Sequence, residues 1–515
     1  MKSIFGSKTC HENIINRNST AIVVEDAEMA DLSRYRDHLL EMGYKEIESR
    51  ARGENTYMAF ERENDGVFLN YYPSVNELTV ISETDCKYFS YTDKCKDLSA
   101  APCITQLYLE DFGMCYIIRL SDGRFMILDG GRDFLPDAQR LYDFLVKNSP
   151  YEKPVIAAWI MTHPHSDHFH CFITFMDNFA DSVTVEKYMF TFPEHDDVKH
   201  YPSLTSKDSR FEDSSAYTNI PKMLEHMKRS GGEIYSLHTG QKYLIGDASC
   251  EILASIGDTI HRSQNVNATS VVIRMELGGQ VILWCADVCS GEAQLSEKYG
   301  EYLKADILQV PHHGFQSGTA QAEIAAYRHI RPSVCLLPVS DYNAYTVFCA
   351  FRQGTKFLMQ SADIDEMITG DTTRTLHLPY APAPDAKAEL KRKYIAGQQS
   401  AGALSWIFTG LNTANDEDLV FRILNTTHAP ANLNIELFFE NRERNIRYIQ
   451  AKISPLSYKE LSVIGDKVES ENLYFNWMSL KQRGIPENAD FAIRFISDIP
   501  LVISHKSHTE TYRSN

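Results

Sequence analysis

The spacing of apolar positions divides the chain into three stretches of different character. In the first hundred residues Leu32, Tyr35, Leu39 and Met42 recur at helical spacing, and Gly43 stands where such a helix would stop. Short alternating runs follow at 56–62 and 67–72, joined by the hairpin signal Asn64-Asp65-Gly66, and a third lies at 77–82. This pattern predicts a small α+β domain over 1–100, which runs out through a connector rich in charge and cysteine at 83–103.

From Ile104 the pattern changes to strands that then alternate with helices. Strands are predicted at 106–109, 115–120 and 124–128, the last two turned by Ser121-Asp122-Gly123. Pro136 suits the first turn of a helix over 137–147. The continuous apolar run 155–161 has the length of a strand buried on both faces. Later strands are predicted at 270–275 and 280–285, turned by Gly278-Gly279, and at 307–310 and 334–338, with a helix near 321–329. Together these make a layered α/β domain over 104–380. Residues 379–384, rich in Pro and Ala, read as a linker. Alternating segments at 433–440, 446–453 and 491–496 predict a β-rich, sandwich-like accessory domain over 385–515. The segment 471–476 resembles a protease tag site but ends in Asn, so it reads as native sequence.

Composition narrows the function classes. With 515 residues the chain exceeds the roughly 250–300 that one core supports, in keeping with several domains. Acidic residues outnumber basic ones 69 to 51, and the net charge of −18 disfavours a groove that grips long nucleic acid. No apolar run approaches the roughly 20 residues of a membrane span. Residues 1–24 lack a basic segment followed by an apolar one, so no secretory signal is expected. Eleven scattered cysteines without C-x-x-C pairs read as reduced thiols, which predicts a cytoplasmic protein.

The densest chemistry is Thr162-His163-Pro164-His165-Ser166-Asp167-His168, a loop directly after the buried run 155–161. Open α/β folds place ligands at such strand ends, and His and Asp are the usual ligands of zinc and related divalent ions. The spacing H-x-H-x-D-H lets the first two histidines face one ion while Asp167 and His168 face another. Neighbouring residues carry weaker signals. His170 reads as a loop or helix-surface residue, and Cys171 as a small buried hydrophobe. Tyr188, Phe190 and Phe192 read as strand core, and 193–197 with His200 as a charged insertion.

The motif H-x-H-x-D-H resembles the signature of the metallo-β-lactamase-fold metallohydrolase superfamily. Three further features match in order: Leu128-Asp129-Gly130-Gly131 upstream, Leu283-Trp284-Cys285-Ala286-Asp287 downstream, and Asp306-Ile307-Leu308-Gln309-Val310-Pro311-His312-His313-Gly314 after that. The P-H-H-G element resembles the branch of competence (DNA-internalisation) proteins and phosphorylcholine esterases. The resemblance covers 104–380 and implies an αββα sandwich with two metal ions per chain, zinc first, with manganese or iron as alternatives. It implies His163 and His165 as ligands of the first ion, Asp167 and His168 of the second, and Asp287 as the bridge. Either His312 or His313 is expected to complete the second site; His313 is favoured, with His312 beside the substrate. Asp167 would also orient the attacking water, and Asp129 would brace the ligands from behind. Where relatives carry a third histidine on the first ion, this chain has Asn267; His261 is near enough in sequence to substitute.

These residues predict a metal-dependent hydrolase that activates water between two ions. The branch leans to phosphoesters, and the acidic charge to a small phosphodiester. Lactones, thioesters and amides are alternative substrates for the same site, and a non-catalytic metal-containing binding module is an alternative role. A di-iron redox centre is disfavoured, because the branch with that chemistry has glutamate where this chain has His165.

Overall fold

The computed structural model describes residues 2–86, 90–94, 100–110, 113–193, 215–262, 266–316, 318–341, 343–349, 352–403, 405–412, 420–425, 430–440, 446–454, 457–462, 489–499 and 501–505. The expected insertion from Glu194 to His200 and the segment 471–476 lie outside the described residues. The chain divides into two compact units, Met1–Ser340 with Arg352–Leu390 and Asp341–Phe351 with Lys391–Asn515. It is a mixed α/β protein with several sheets. Among the described residues no helix is long and apolar enough to cross a membrane.

The first unit opens with six antiparallel strands in the spatial order Cys10–Asn16, Ser19–Val24, Glu77–Glu83, Asp65–Tyr72, Asn55–Arg62, Lys45–Arg52. The helix Met29–Glu41 buries Leu32, Tyr35 and Leu39 against one face, on Val24, Phe60, Leu69 and Val80. Sequence patterning reveals three of the six strands. It misses Lys45–Arg52 because that edge strand is exposed or half-exposed along its whole length and carries no apolar alternation.

Two eight-stranded sheets form the rest of this unit. One runs Glu233–Tyr235, Lys187–Met189, Val155–Ile160, Phe125–Asp129, Cys115–Arg119, Cys103–Gln106, Arg374–His377, with Thr184–Val185 beside Val155–Ile160. The other runs Glu366–Thr369, Val334–Leu337, Ile307–Gln309, Gln280–Trp284, Val272–Leu277, Ala248–Ala254, Lys242–Gly246, Ser90–Lys94. Their inner faces share one core: Met126, Leu128 and Ile160 from the first meet Ile252, Ile273 and Trp284 from the second. The opposite face of the first sheet is also covered. Ile127 and Trp159 pack on helices Leu135–Asn148, Ser166–Phe179 and Ser215–Ser230 through Leu141, Phe172, Phe175 and Met223. A strand buried on both faces reads as a continuous apolar run, which is why Val155–Ile160 is so plain in the sequence.

Neighbouring strands at the centre of each sheet run parallel: Phe125–Asp129 with Val155–Ile160, and Gln280–Trp284 with Ile307–Gln309. Their C-terminal ends lead into the Asp129, His163, Asp287 and His312 segments. In the second unit, strands Ser405–Asn412, Asp490–Ser497, Ala431–Phe439 and Ile446–Ile453 form one antiparallel sheet, and Ser457–Ser462, Val420–Asn425 and Val502–His505 another. Phe421, Ile423 and Ile503 of the second meet Leu433, Ile435, Ile493 and Phe495 of the first in a common core. The division between the units falls within the helix Ala386–Ala403.

Trp159 ties this packing to the strand ends. Its ring lies edge-on to Phe172 and Phe175, 4.9 and 5.2 Å away, and its indole N–H donates to the Asp129 carbonyl at 2.9 Å. Trp159→Ala should lower stability by about 3–5 kcal/mol through the cavity it leaves. Trp159→Phe should cost about 1–3 kcal/mol through the orphaned carbonyl. Urea unfolding of the two variants checks the order.

Candidate metal centre

The loop-and-helix geometry after Val155–Ile160 separates the histidines into two sets. His163 and His165 lie in the loop, whereas the helix Ser166–Phe179 starts one residue later and puts Asp167 and His168 in its first turn. The expectation of a single loop is corrected here: the chain turns helical within the motif, which aims the two halves in different directions. That first turn is backed by main chain beside the ends of two other strands. Met114 N–H donates to the Asp167 carbonyl at 3.1 Å, and Gly131 N–H to that of His168 at 3.2 Å. A side chain at Gly113 would come within 2.7 Å of the Asp167 carbonyl, so this close approach requires glycine.

Two groups of side chains converge. His163, His165 and Asp287 offer ligand atoms within 4.8 Å of one another, and so do Asp167, His168 and His313. Asp287 touches both groups. Its Oδ2 lies 3.7 Å from Nε2 of His163 and 3.3 Å from Nε2 of His168, and its Oδ1 lies 3.6 Å from Nε2 of His313. His313 Nε2 is also 3.1 Å from Asp167 Oδ2. His312 takes a different place: Nε2 lies 3.8 Å from Asp287 Oδ2 and accepts from the Asn267 amide at 3.0 Å. Its side chain is 20% exposed, while that of His313 is fully buried.

Asp129 organises the ligands from behind. Its carboxylate accepts from Thr162 N–H at 2.9 Å and from the Thr162 hydroxyl, and Oδ2 holds His168 Nδ1 at 2.7 Å. This leaves His168 Nε2 turned inward. Neither that nitrogen nor either oxygen of Asp167 has a hydrogen-bond partner of good geometry, although both residues are fully buried. Buried polar atoms without partners are rare, and convergent ones of this chemistry fit a divalent cation.

The electrostatics point the same way. Burial disfavours charge on Asp167 and Asp287, but His168 and His313 outweigh it and hold both below the usual carboxylate range. Burial also opposes charge on His168, yet Asp287, Asp129 and Asp167 together hold its pKa well above the ordinary histidine value. His163 is pushed well below that value by burial and by His168. The protonated imidazole supplies positive charge that a metal ion would replace.

Backbone strain gathers here too. Of ten non-glycine residues with left-handed φ among the described residues, Asp129, Ala286, His312 and His313 belong to this centre. Gln309 holds one of these turns. Its side-chain carbonyl accepts from Cys285 N–H at 2.8 Å and Ala286 N–H at 2.5 Å, and its amide donates to the carbonyls of Ala286 and Val310. Sequence reasoning overlooks Gln309, Thr162 and Ser270; a polar residue inside an apolar strand run was the available signal for Gln309. His261 is not brought to the cluster, since its ring stacks on His11 at 5.1 Å. His170 is buried beside Asn219, and burial pushes its pKa down to about 4. Cys171 sits in the apolar core with Phe172, Phe190 and Phe192.

No protein-family model and no curated protein matches the chain. Among solved structures it is similar to the Anabaena sensory rhodopsin transducer, at 17% identity over 20% of this chain and 93% of that one, with a TM-score of 0.16. Thermotoga maritima 1070 aligns at 22% identity over 20% of this chain and 76% of that one, with a TM-score of 0.15. The flavodiiron protein from Giardia intestinalis aligns at 12% identity over 56% of this chain, with a TM-score of 0.24; the chain spans about half of its length, 53%. All three scores are low, and the centre stands on its own geometry.

Asp129→Ala removes the acceptor of three buried donors. Breaking such a pair should cost about 3–5 kcal/mol in the metal-free protein. Metal affinity should fall about 10–100-fold as His168 loses its orientation. Urea unfolding and metal titration measure the two effects separately, and unchanged metal affinity would refute the bracing role.

Proposed function

We propose that this chain is a metal-dependent hydrolase of the metallo-β-lactamase-fold kind, acting on phosphoesters and foremost on a small phosphodiester. The observation that carries this reading is the position of Asp287, in reach of both ligand groups at once. In it His163, His165 and Asp287 hold one divalent ion, zinc first with manganese or iron as alternatives. Asp167, His168, His313 and Asp287 hold the second. Such a pair of ions acidifies water and neutralises a phosphoryl oxygen.

The residues of the chain supply the rest. Asp167, buried and with neither oxygen in a well-formed hydrogen bond, is placed to accept a hydrogen bond from water and orient it. His312 reaches the solvent-facing side of the centre and is placed to donate a hydrogen bond to substrate. With two divalent ions bound, their charge would exceed that of the two ligand carboxylates and make the centre locally positive in an acidic protein, which favours an anionic ester over a neutral amide. The hydrolase domain in this reading is 104–380, flanked by 1–100 and 385–515.

Turnover of bis(p-nitrophenyl) phosphate by protein loaded with zinc, manganese or iron tests the proposal. Asp287→Ala should abolish it, because the shared ligand is gone. His312→Ala should lower turnover with metal content nearly intact, whereas His313→Ala should lose both. Mild chelation should strip the His163-His165 position first, as Asn267 leaves it one imidazole short. Metal analysis alongside the rates decides these assignments. A wild-type protein that holds metal but hydrolyses no ester would sink the proposal.

A further inference from the structure

One segment of the first unit touches the six-stranded sheet at one end and the metal centre at the other. Ile256, Ile260 and Val266 are buried with Ile15, Ala21, Ala59, Phe68 and Ile81, on the face of the sheet opposite its helix. The contact is close: a side chain at Gly257 would meet Ile81 Cδ1 at 2.8 Å and Ile15 Cδ1 at 3.5 Å. Polar contacts hold the same join. His261 stacks on His11, Arg262 pairs with Glu77, and Glu77 also takes Lys298 at 2.6 Å.

The segment then turns through Val266–Thr269 into the centre. The Asn267 amide donates to His312 Nε2 at 3.0 Å, and the Ser270 hydroxyl accepts from Asp287 N–H at 3.3 Å. Val271 N–H donates to the Thr162 carbonyl at 3.1 Å. Asn267 is buried, and its Oδ1 has no hydrogen-bond partner. An imidazole that accepts at Nε2 carries its proton on Nδ1, so the amide selects both the tautomer and the ring orientation of His312.

We propose that the six-stranded sheet is a positioning surface for the metal centre, fixing His312 through Val266 and the positioning residue Asn267. This deepens the hydrolase reading and rests on it for its kinetic test. Burial against a rigid sheet removes freedom that the loop would otherwise have, and small misplacements of a group near the reacting atoms are costly in rate.

A double-mutant cycle separates positioning from general stabilisation. Ile81→Ala should lower kcat/KM for bis(p-nitrophenyl) phosphate about tenfold in the wild-type background. In the His312→Ala background it should change kcat/KM by less than about twofold, because the group it acts through is gone. Equal losses in both backgrounds, or no loss in wild type, would overturn the proposal. Val266→Ala, a smaller truncation on the same path, serves in the cycle if Ile81→Ala does not fold. An independent readout needs neither metal nor activity. Histidine nitrogen NMR of the metal-free protein should show His312 in the Nδ1–H tautomer, and Asn267→Ala should shift it towards the Nε2–H form. A wild-type His312 in the Nε2–H form would overturn the role of Asn267. If the wild type hydrolyses no phosphoester, the hydrolase reading fails while the tautomer still decides the role of Asn267.

Discussion

A single buried carboxylate, Asp129, is the constraint on which the rest of the centre depends. Removing a carboxylate from water is costly unless donors surround it. Here Thr162 supplies two and His168 a third, while the main-chain carbonyl of Asp129 is taken by Trp159. These bonds join the ends of two parallel strands to the first turn of the helix Ser166–Phe179. The left-handed backbone at Asp129 is tolerated because so many partners determine it.

The second sheet answers with an equivalent device. Gln309 locks the turn at Cys285 and Ala286, and His312 N–H returns to the Ala286 carbonyl at 2.8 Å. Asp287 and the histidine pair are thereby presented on main chain with little freedom. Side chains from both sheets meet where parallel strands end, the place where open α/β layers leave a crevice for ligands. The shared core beneath, with Leu128 and Ile160 against Ile273 and Trp284, keeps the two sets of strand ends in register.

Electrostatics give this geometry its chemical character. Fully buried Asp167 and Asp287 stay ionised because protonated histidine faces them, and the arrangement leaves inward-pointing atoms whose natural partner is a cation. The six-stranded sheet extends the same logic outward, since the segment it buries ends on His312 and Asp287.

Local patterning determined much of this by itself. The strand Val155–Ile160 was legible because both its faces are apolar, and the hairpin at Asn64-Asp65-Gly66 because turn chemistry is local. The spacing of His163, His165, Asp167 and His168 within one short segment made the candidate ligands visible, as each is a neighbour of the next along the chain. Edge strands such as Lys45–Arg52 were invisible, because exposure on both faces erases the alternation that marks a strand. Only the tertiary structure decided that His313 and not His312 joins Asp167, that Asn267 bonds His312, and that His261 turns away to His11. Those outcomes depend on the register between distant strands and on left-handed turns that neither spacing nor composition encodes. Two adjacent histidines look alike in a sequence, and the left-handed turn that carries both leaves His313 fully buried and His312 20% exposed.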